Sequence, residues 1–309
     1  MKKIIVTTTI NAPTIALKKF MKLSDWHVIV VGDKKTPHDK YKKLNCTYLS
    51  PRDQENISKR LSDLIGWNSI QRRNFGFIEA LNIGANIVAT VDDDNIPLNG
   101  WGESILVGKV VEVDFYVTNQ VAFDPLSVTN NNDLWHRGFP IELIKNKNFY
   151  KKKIKKKIKC LVQADLWNGD PDIDAICRIA KFKPIRKFDK INSFSSNKIM
   201  PFNSQNTFLT AEALKDYMMI PHLGRMDDIW GAYYLQKLLN KPCVVFSEAS
   251  VIQKRNVHNF ALDLKNEVFG YLDSLNVIQN NIFNYLPKKS IMALKLYRNI
   301  TNKIYHSNY

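Results

Sequence analysis

Residues Ile87-Val88-Ala89-Thr90-Val91 form an apolar run without alternation, and Asp92-Asp93-Asp94-Asn95 follow without a break. A strand that lacks alternation is buried on both faces, as in a parallel sheet covered by helices on each side. Sheets of that kind bind ligands beyond the carboxyl ends of their strands. Three successive carboxylates at such an end repel one another and require a cation. Their hard oxygens suit Mg²⁺ or Mn²⁺, either of which leaves coordination positions for a phosphate. A solvated acidic turn or a helix cap is the competing reading of the same residues.

The flanking sequence alternates strand and helix signals, which predicts an α/β fold: a mostly parallel, Rossmann-type sheet flanked by helices. Residues 2–8 and 27–31 read as short β-branched strands, the second ended by Gly32-Asp33. Asn11-Ala12-Pro13-Thr14 is a turn and helix start. A helix is predicted over 68–83, apolar at Ile70, Phe75, Ile78 and Ala80 or Leu81, and closed by Gly84. Residues 115–121 and 243–246 read as further strands, 126–132 as a loop, and 212–218 and 228–239 as helices. From Tyr271 the pattern is helical, with Leu272, Leu275, Ile278, Ile282 and Leu286 on one side. Pro287 breaks it, and 291–304 is a last basic helix. This divides the chain into a main domain over 1–270 and a C-terminal helical extension over 271–309.

Composition narrows the function classes. A chain of 309 residues, 45% hydrophobic, buries a full core without staples, so the four scattered cysteines (Cys46, Cys160, Cys177, Cys243) read as reduced thiols, not a zinc site. The N-terminus turns polar too soon for a secretory signal, and no apolar run approaches the ~20 residues of a membrane span; a cytoplasmic chain is expected. Lys+Arg number 45 against 29 Asp+Glu, a formal +16. Nucleic acid, an anionic membrane surface or a phosphorylated substrate could answer that excess. Neither an RNA-binding aromatic motif nor a helix-turn-helix signal accompanies it, so nucleic acid is not the expected partner. Seven of the lysines fall between Lys151 and Lys159, interrupted by Ile154 and Ile158. The i, i+4 spacing of those isoleucines reads as one helix face. The segment is then a solvated loop or helix, or a basic patch in peripheral contact with an anionic membrane. A homo-oligomer is compatible with the sequence.

Further blocks carry chemistry. They are Arg72-Arg73-Asn74-Phe75-Gly76-Phe77, Arg137-Gly138-Phe139-Pro140, Asp165-Leu166-Trp167 with Asp170-Pro171-Asp172-Ile173-Asp174-Ala175, and Gly224-Arg225-Met226-Asp227-Asp228-Ile229-Trp230. A weaker block is Asn259-Phe260 with Asp263-Leu264-Lys265-Asn266-Glu267. The arginine forks of Arg72 and Arg73 suit a diphosphate or a uracil edge, or form a surface pair. Arg137, before a rigid turn, suits a phosphate or carboxylate; arginine stays protonated and is a poor nucleophile. Asp172 and Asp174 share a face if the stretch is extended, and Trp167 offers an apolar wall. Asp227 and Asp228 begin a helix, where carboxylates are favoured without further function.

The strand followed by Asp92-Asp93-Asp94 resembles the nucleotide-sugar glycosyltransferases of the GT-A fold. In order and approximate spacing, over roughly residues 1–270, the blocks resemble the reversibly glycosylated polypeptides, whose plant members are UDP-arabinopyranose mutases. Val31-Gly32-Asp33-Lys34-Lys35-Thr36-Pro37 resembles the related STELLO-type glycosyltransferases. The resemblance implies a GT-A-like nucleotide-sugar-binding catalytic domain. It implies a flavin-independent, metal-assisted UDP-sugar pyranose/furanose mutase that supplies cell-surface polysaccharide. The alternative is a metal-dependent transferase that moves the sugar to a separate acceptor. The resemblance makes Arg137 the carrier of the sugar, with Asp227 and Asp228 catalytic beside it. Arg72, Arg73, Asp93, Trp167, Asp172 and Asp174 become substrate contacts, and Asp92, Asp94 and a late histidine the ligands of Mn²⁺ or Mg²⁺. Where the family carries Trp-His, this chain reads Val251-Ile252-Gln253, which leaves His258 as the candidate third ligand.

Overall fold

The computed structural model describes residues 1–181, 186–254 and 259–309. In chain order the elements are β1 (Lys3–Thr9), α1 (Ile15–Phe20), β2 (His27–Gly32), β3 (Thr47–Leu49), α2 (Pro51–Ile65), α3 (Arg73–Asn82), β4 (Ile87–Val91), β5 (Asn95–Pro97), β6 (Val110–Val117) and β7 (Lys152–Lys159). They continue with β8 (Val162–Gly169), α4 (Ala175–Lys181), β9 (Phe194–Ser196), β10 (Asn206–Thr210), α5 (Ala211–Leu214), α6 (Asp227–Leu239), β11 (Val244–Gln253), α7 (Phe260–Asn266), α8 (Val268–Gln279) and α9 (Lys288–Asn308).

The strands join one sheet in the order β3-β2-β1-β4-β10-β8-β11-β9-β6-β7, with β5 paired to β11. β3, β2, β1 and β4 are parallel neighbours. β10 runs antiparallel between β4 and β8, and β11 returns parallel to β8. This is the α/β sheet flanked by helices that the sequence predicts. β4 is buried at every position, as its lack of alternation requires. Its central place puts Asp92 at the carboxyl edge of the sheet.

Local signals explain the helices beside it. Thr14 caps α1, its hydroxyl accepting from Leu17 N at 3.1 Å. Ser50 and Asp53 form a reciprocal capping box at α2, behind Pro51 in the first turn. α3 lies against β1 and β2. Gly76 permits that approach, since a Cβ there would stand 2.4 Å from Val6 Cγ1. α8 runs across position 270, and α9 packs on α2 and α3. Among the described residues, no helix is long and apolar enough to cross a membrane.

Several local expectations are corrected. The lysine run is neither loop nor helix: it is strand β7, paired antiparallel with β6 along its length. A spacing of four is even, so Ile154 and Ile158 share a side in a strand as well as in a helix. The strand expected over 115–121 starts and ends earlier, as β6. The helix expected over 212–218 shrinks to α5, and that expected over 68–83 opens with a 3₁₀ turn, Ile70–Arg72, before α3. The loop at 126–132 begins in a 3₁₀ turn, Pro125–Val128.

Candidate active site

The carboxyl ends of β1, β2 and β4 open onto a cavity of about 330 Å³, lined by Thr8 to Asn11, Asp33, residues 68–70, Arg72, Arg73 and Asp92 to Asp94. The three aspartates are not equivalent. Asp92 Oδ1 accepts from Arg73 Nη2 at 2.7 Å. Asp93 turns toward the chain after β1, where its Oδ2 accepts from Thr9 Oγ1 at 2.5 Å and Asn11 Nδ2 at 3.1 Å. Asp93 therefore fixes the floor of the cavity with its carboxylate. Asp94 lines the cavity beside Asp92.

Arg72 and Arg73 are buried, not a surface pair. Arg73 donates to Thr8 Oγ1, Thr90 Oγ1 and the Ser204 carbonyl as well as to Asp92. It ties the β4 end to the start of β10. Arg72 stacks 3.7 Å from the Trp67 ring centroid and donates from Nε to Gln54 Oε1 at 2.7 Å. Burial pulls its pKa down to about 10, so it keeps its charge at neutral pH. Its Nη2 has no hydrogen-bond partner among the described residues.

A second cavity, about 200 Å³, adjoins the first; Ile70 and Asp92 line both. Its other walls include Arg137, Asp172, Ser204, Asp227 and Asp228. The turn expected at Arg137-Gly138-Phe139-Pro140 is present. Gly138 has φ +82°, and a Cβ there would meet Ile229 Cγ2 at 2.3 Å. Tyr233 Oη donates to the Gly138 carbonyl at 2.6 Å. The turn delivers Arg137 between two carboxylates. Nε donates to both Asp172 oxygens at 3.0 Å, Nη2 to Asp172 Oδ2 at 2.8 Å and Asp228 Oδ2 at 3.1 Å. Nη1 donates to Asp228 Oδ1 at 3.0 Å and to the Arg225 carbonyl. Burial opposes the charge, but Asp172 and Asp228 outweigh it and hold the guanidinium well above its ordinary pKa.

Asp227 and Asp228 are neighbours whose pKa values are pushed in opposite directions. Burial, and then the Asp228 charge, push Asp227 up to about 7; Gln71 Nε2 donates to it at 2.6 Å. Burial also works against the Asp228 charge, yet Arg137 overrides it and holds that carboxyl below its usual range. Ser204 supports Asp228 through its backbone N–H at 2.9 Å and its hydroxyl at 3.1 Å.

Of the remaining expected contacts, Asp172 lies at the second cavity and Asp174 and Trp167 lie elsewhere. Asp172 is enclosed by Arg137 and Asn203 at the cavity wall. Asp174 caps α4 through Cys177 N at 2.8 Å and accepts from Trp135 Nε1 at 2.6 Å; it does not line either cavity. Trp167 is a buried β8 residue packed on His136 and Phe188, also away from both cavities. His258 lies outside the described residues. Ser204, Gln71 and Asp33 were not anticipated. Asp33 could have been found, since it directly follows β2, the parallel neighbour of β1. Ser204 and Gln71 carry no motif.

The oxygen donors of Asp92 and Asp94 are of the type that hard divalent cations take. Among the described residues no three His, Cys, Asp or Glu groups gather as a closed metal centre. Two carboxylates on one cavity wall, Asp92 and Asp94, fit instead an open Mg²⁺ or Mn²⁺ site completed by phosphate oxygens and water.

The chain is similar to the plant STELLO glycosyltransferases. It is 25% identical to "Probable glycosyltransferase STELLO2" of Arabidopsis thaliana, over 77% of this chain and 34% of that protein. It is 26% identical to "Probable glycosyltransferase STELLO1" of the same plant, over 77% and 33%. The chain thus spans about a third of the length of these relatives. No family model matches it. Among solved structures, glucosyl-3-phosphoglycerate synthase from Mycobacterium tuberculosis, in complex with phosphoglyceric acid, aligns with a TM-score of 0.45 at 11% identity, covering 90% of this chain and 80% of that one. A mycobacterial protein aligns at 0.47 and 12%, covering 90% and 75%. The sequence similarity supports the STELLO-type side of the resemblance and gives none to the mutase side.

Proposed function

We propose that this chain is a metal-dependent GT-A-type transferase that moves a sugar from a nucleotide sugar, of the UDP class, to a separate acceptor. The observation that carries the reading is the position of Asp92, at the boundary between the two cavities. The larger cavity has the strand-end location of a nucleotide site. The smaller holds a carboxylate near neutrality, Asp227, beside one kept ionised, Asp228. Two carboxyls with separated pKa values mark an acid–base assignment.

In this reading Asp92 and Asp94 hold Mg²⁺ or Mn²⁺, which when bound neutralises charge on the leaving diphosphate. Arg73 orients Asp92. Arg72, buried against Trp67 and Gln54, supports the wall of the nucleotide cavity. Asp227 takes the proton of the acceptor hydroxyl as general base. Asp228 stays anionic beside the anomeric carbon, where positive charge develops. Arg137 is a positioning residue for Asp172 and Asp228. Each of its guanidinium nitrogens already donates to a protein oxygen, which supports this role over that of a covalent sugar carrier.

The test is incubation with a panel of UDP-sugars and Mn²⁺, with and without candidate sugar acceptors, followed by product analysis. Release of UDP with glycosylated acceptor, and return of unreacted sugar nucleotide in its original ring form, is the expected outcome. Isomerised UDP-sugar formed without an acceptor would establish the mutase instead.

A further inference from the structure

β7 ends the sheet, with β6 on one side and no strand on the other among the described residues. Its register sorts the lysines onto two unlike faces. On one face Lys155 stands opposite Asp114 and Lys157 opposite Glu112. Lys153 and Lys155 each place Nζ 2.7 Å from Asp114, and Lys159 lies 2.7 Å from Glu212. The other face presents Lys152, Ile154 and Lys156 opposite Val117, Phe115 and Val113, with no carboxylate among those partners. Lys156 lays its ammonium 4.4 Å from the Phe115 ring centroid, its stem along apolar surface. Lys152 and Lys156 make no ion pair among the described residues.

Exposed apolar groups accompany this uncompensated charge. Ile154 is 39% exposed, and Phe149, just ahead of the strand, is 54% exposed; Tyr150 packs edge-on against Tyr116, toward the other face. Lysines guard many sheet edges against pairing with other chains. That duty needs no aromatic or aliphatic side chains in water beside them. A nucleic-acid duplex would use the ammonium groups and leave Ile154 and Phe149 in solvent. A bilayer interface takes both: apolar tips enter the acyl boundary while ammonium groups sit at the phosphates.

We infer that the Lys152-Ile154-Lys156 face of β7, with Phe149 ahead of it, docks the protein on a bilayer that carries anionic lipid. The inference is independent of the nucleotide-sugar reading.

The experiment is cosedimentation of the full chain with phosphatidylcholine vesicles, with and without phosphatidylserine. Binding should require phosphatidylserine and weaken with salt. Lys152→Gln with Lys156→Gln should lower the partition coefficient about fivefold per lysine, and Phe149→Ser with Ile154→Ser should lower it again. All four side chains are exposed, and circular dichroism checks that the variants fold. Lys18→Gln with Lys19→Gln, on the exposed side of α1, removes equal charge and should leave binding nearly unchanged. Absence of binding to phosphatidylserine vesicles overturns the proposal. So does an equal loss from the α1 pair, or capture of an RNA duplex by a chain that ignores vesicles.

Discussion

Arg137 faces Asp228 as a fork, with Nη1 3.0 Å from Oδ1 and Nη2 3.1 Å from Oδ2. The same guanidinium grips Asp172 from its other side. One cation thereby compensates two buried anions, and its removal leaves both uncompensated. A turn residue ordinarily adds little to a core, but the buried ion pairs of Arg137 add more. Arg137→Ala should cost about 3–5 kcal/mol of stability, read from urea unfolding of purified protein. Arg137→Lys supplies a point charge that cannot fork to both partners and should recover only part of that loss. Wild-type protein incubated with radiolabelled UDP-sugar should carry no label through denaturation. Label retained at Arg137 would return the sugar-carrier role.

Gly138 is the hinge of that arrangement. Its left-handed φ and the 2.3 Å approach to Ile229 Cγ2 leave no room for a side chain. Gly138→Ala should destabilise by about 1–3 kcal/mol through overpacking in addition to strain. It should also lower turnover, because Arg137 moves with the turn. Normal stability of this variant would show that α6 gives way more readily than its packing suggests.

The readable part of this protein was its centre. β4 and its aspartates were legible because burial on both faces erases alternation and leaves an unmistakable apolar run. Arg137, Asp172, Asp227 and Asp228 were legible as blocks, and the structure gathers them at one cavity. What each block does was less legible. Asp174 and Trp167 lie in the same stretch as Asp172, but one caps α4 and the other fills the core, because side-chain direction is set by tertiary packing. β7 was misread because its isoleucine spacing suits two periodicities. Ser204 bridges Arg73 to Asp228 mainly through backbone and a short hydroxyl, which leave no pattern in a sequence.

The proposed transferase reading makes activity metal-dependent through Asp92 and Asp94. Excess EDTA should abolish turnover, and Mn²⁺ or Mg²⁺ should restore it. Asp94→Ala should weaken binding of the nucleotide sugar in the presence of metal, measured by calorimetry, while Asp93→Ala should show its main effect on stability through the lost Thr9 and Asn11 contacts. Full activity in EDTA, with metal absence verified, would refute the role of these aspartates.

Stability should rise as the solution is made mildly acidic. Burial pushes Asp165 and Asp174 up to about 7 and Asp124 up to about 6. In the unfolded chain each returns to about 3.9. Between those values the folded state binds more protons, so its stability increases as pH falls from about 7 toward about 4. Asp228, held low by Arg137, works in the other direction: its contribution is present above about 4 and is lost below. Thermal midpoints should therefore rise from about pH 7 down to about pH 4 and fall below it. Asp165→Asn should flatten the neutral side of that curve; a wild-type midpoint that climbs from pH 5 to 8 would contradict the raised carboxyls.

Asp227 links the same physics to turnover. Burial and its charged neighbour hold it near 7, so at lower pH it carries a proton and cannot accept another from an acceptor hydroxyl. The rate of transfer, as kcat/KM, should climb as pH rises through about 7 and then level off. Asp227→Asn keeps the shape and the Gln71 contact but removes the base, and should lower kcat about 10²–10⁴-fold with the fold intact. The residual rate should lose its dependence on pH near neutrality. Gln71→Leu removes a hydrogen bond that favours the charged form, so it should move the inflection to higher pH while keeping most of the plateau rate. If Asp227→Asn turns over at the wild-type rate with an unchanged pH profile, the base is another group and Asp227 serves only the N-terminus of α6.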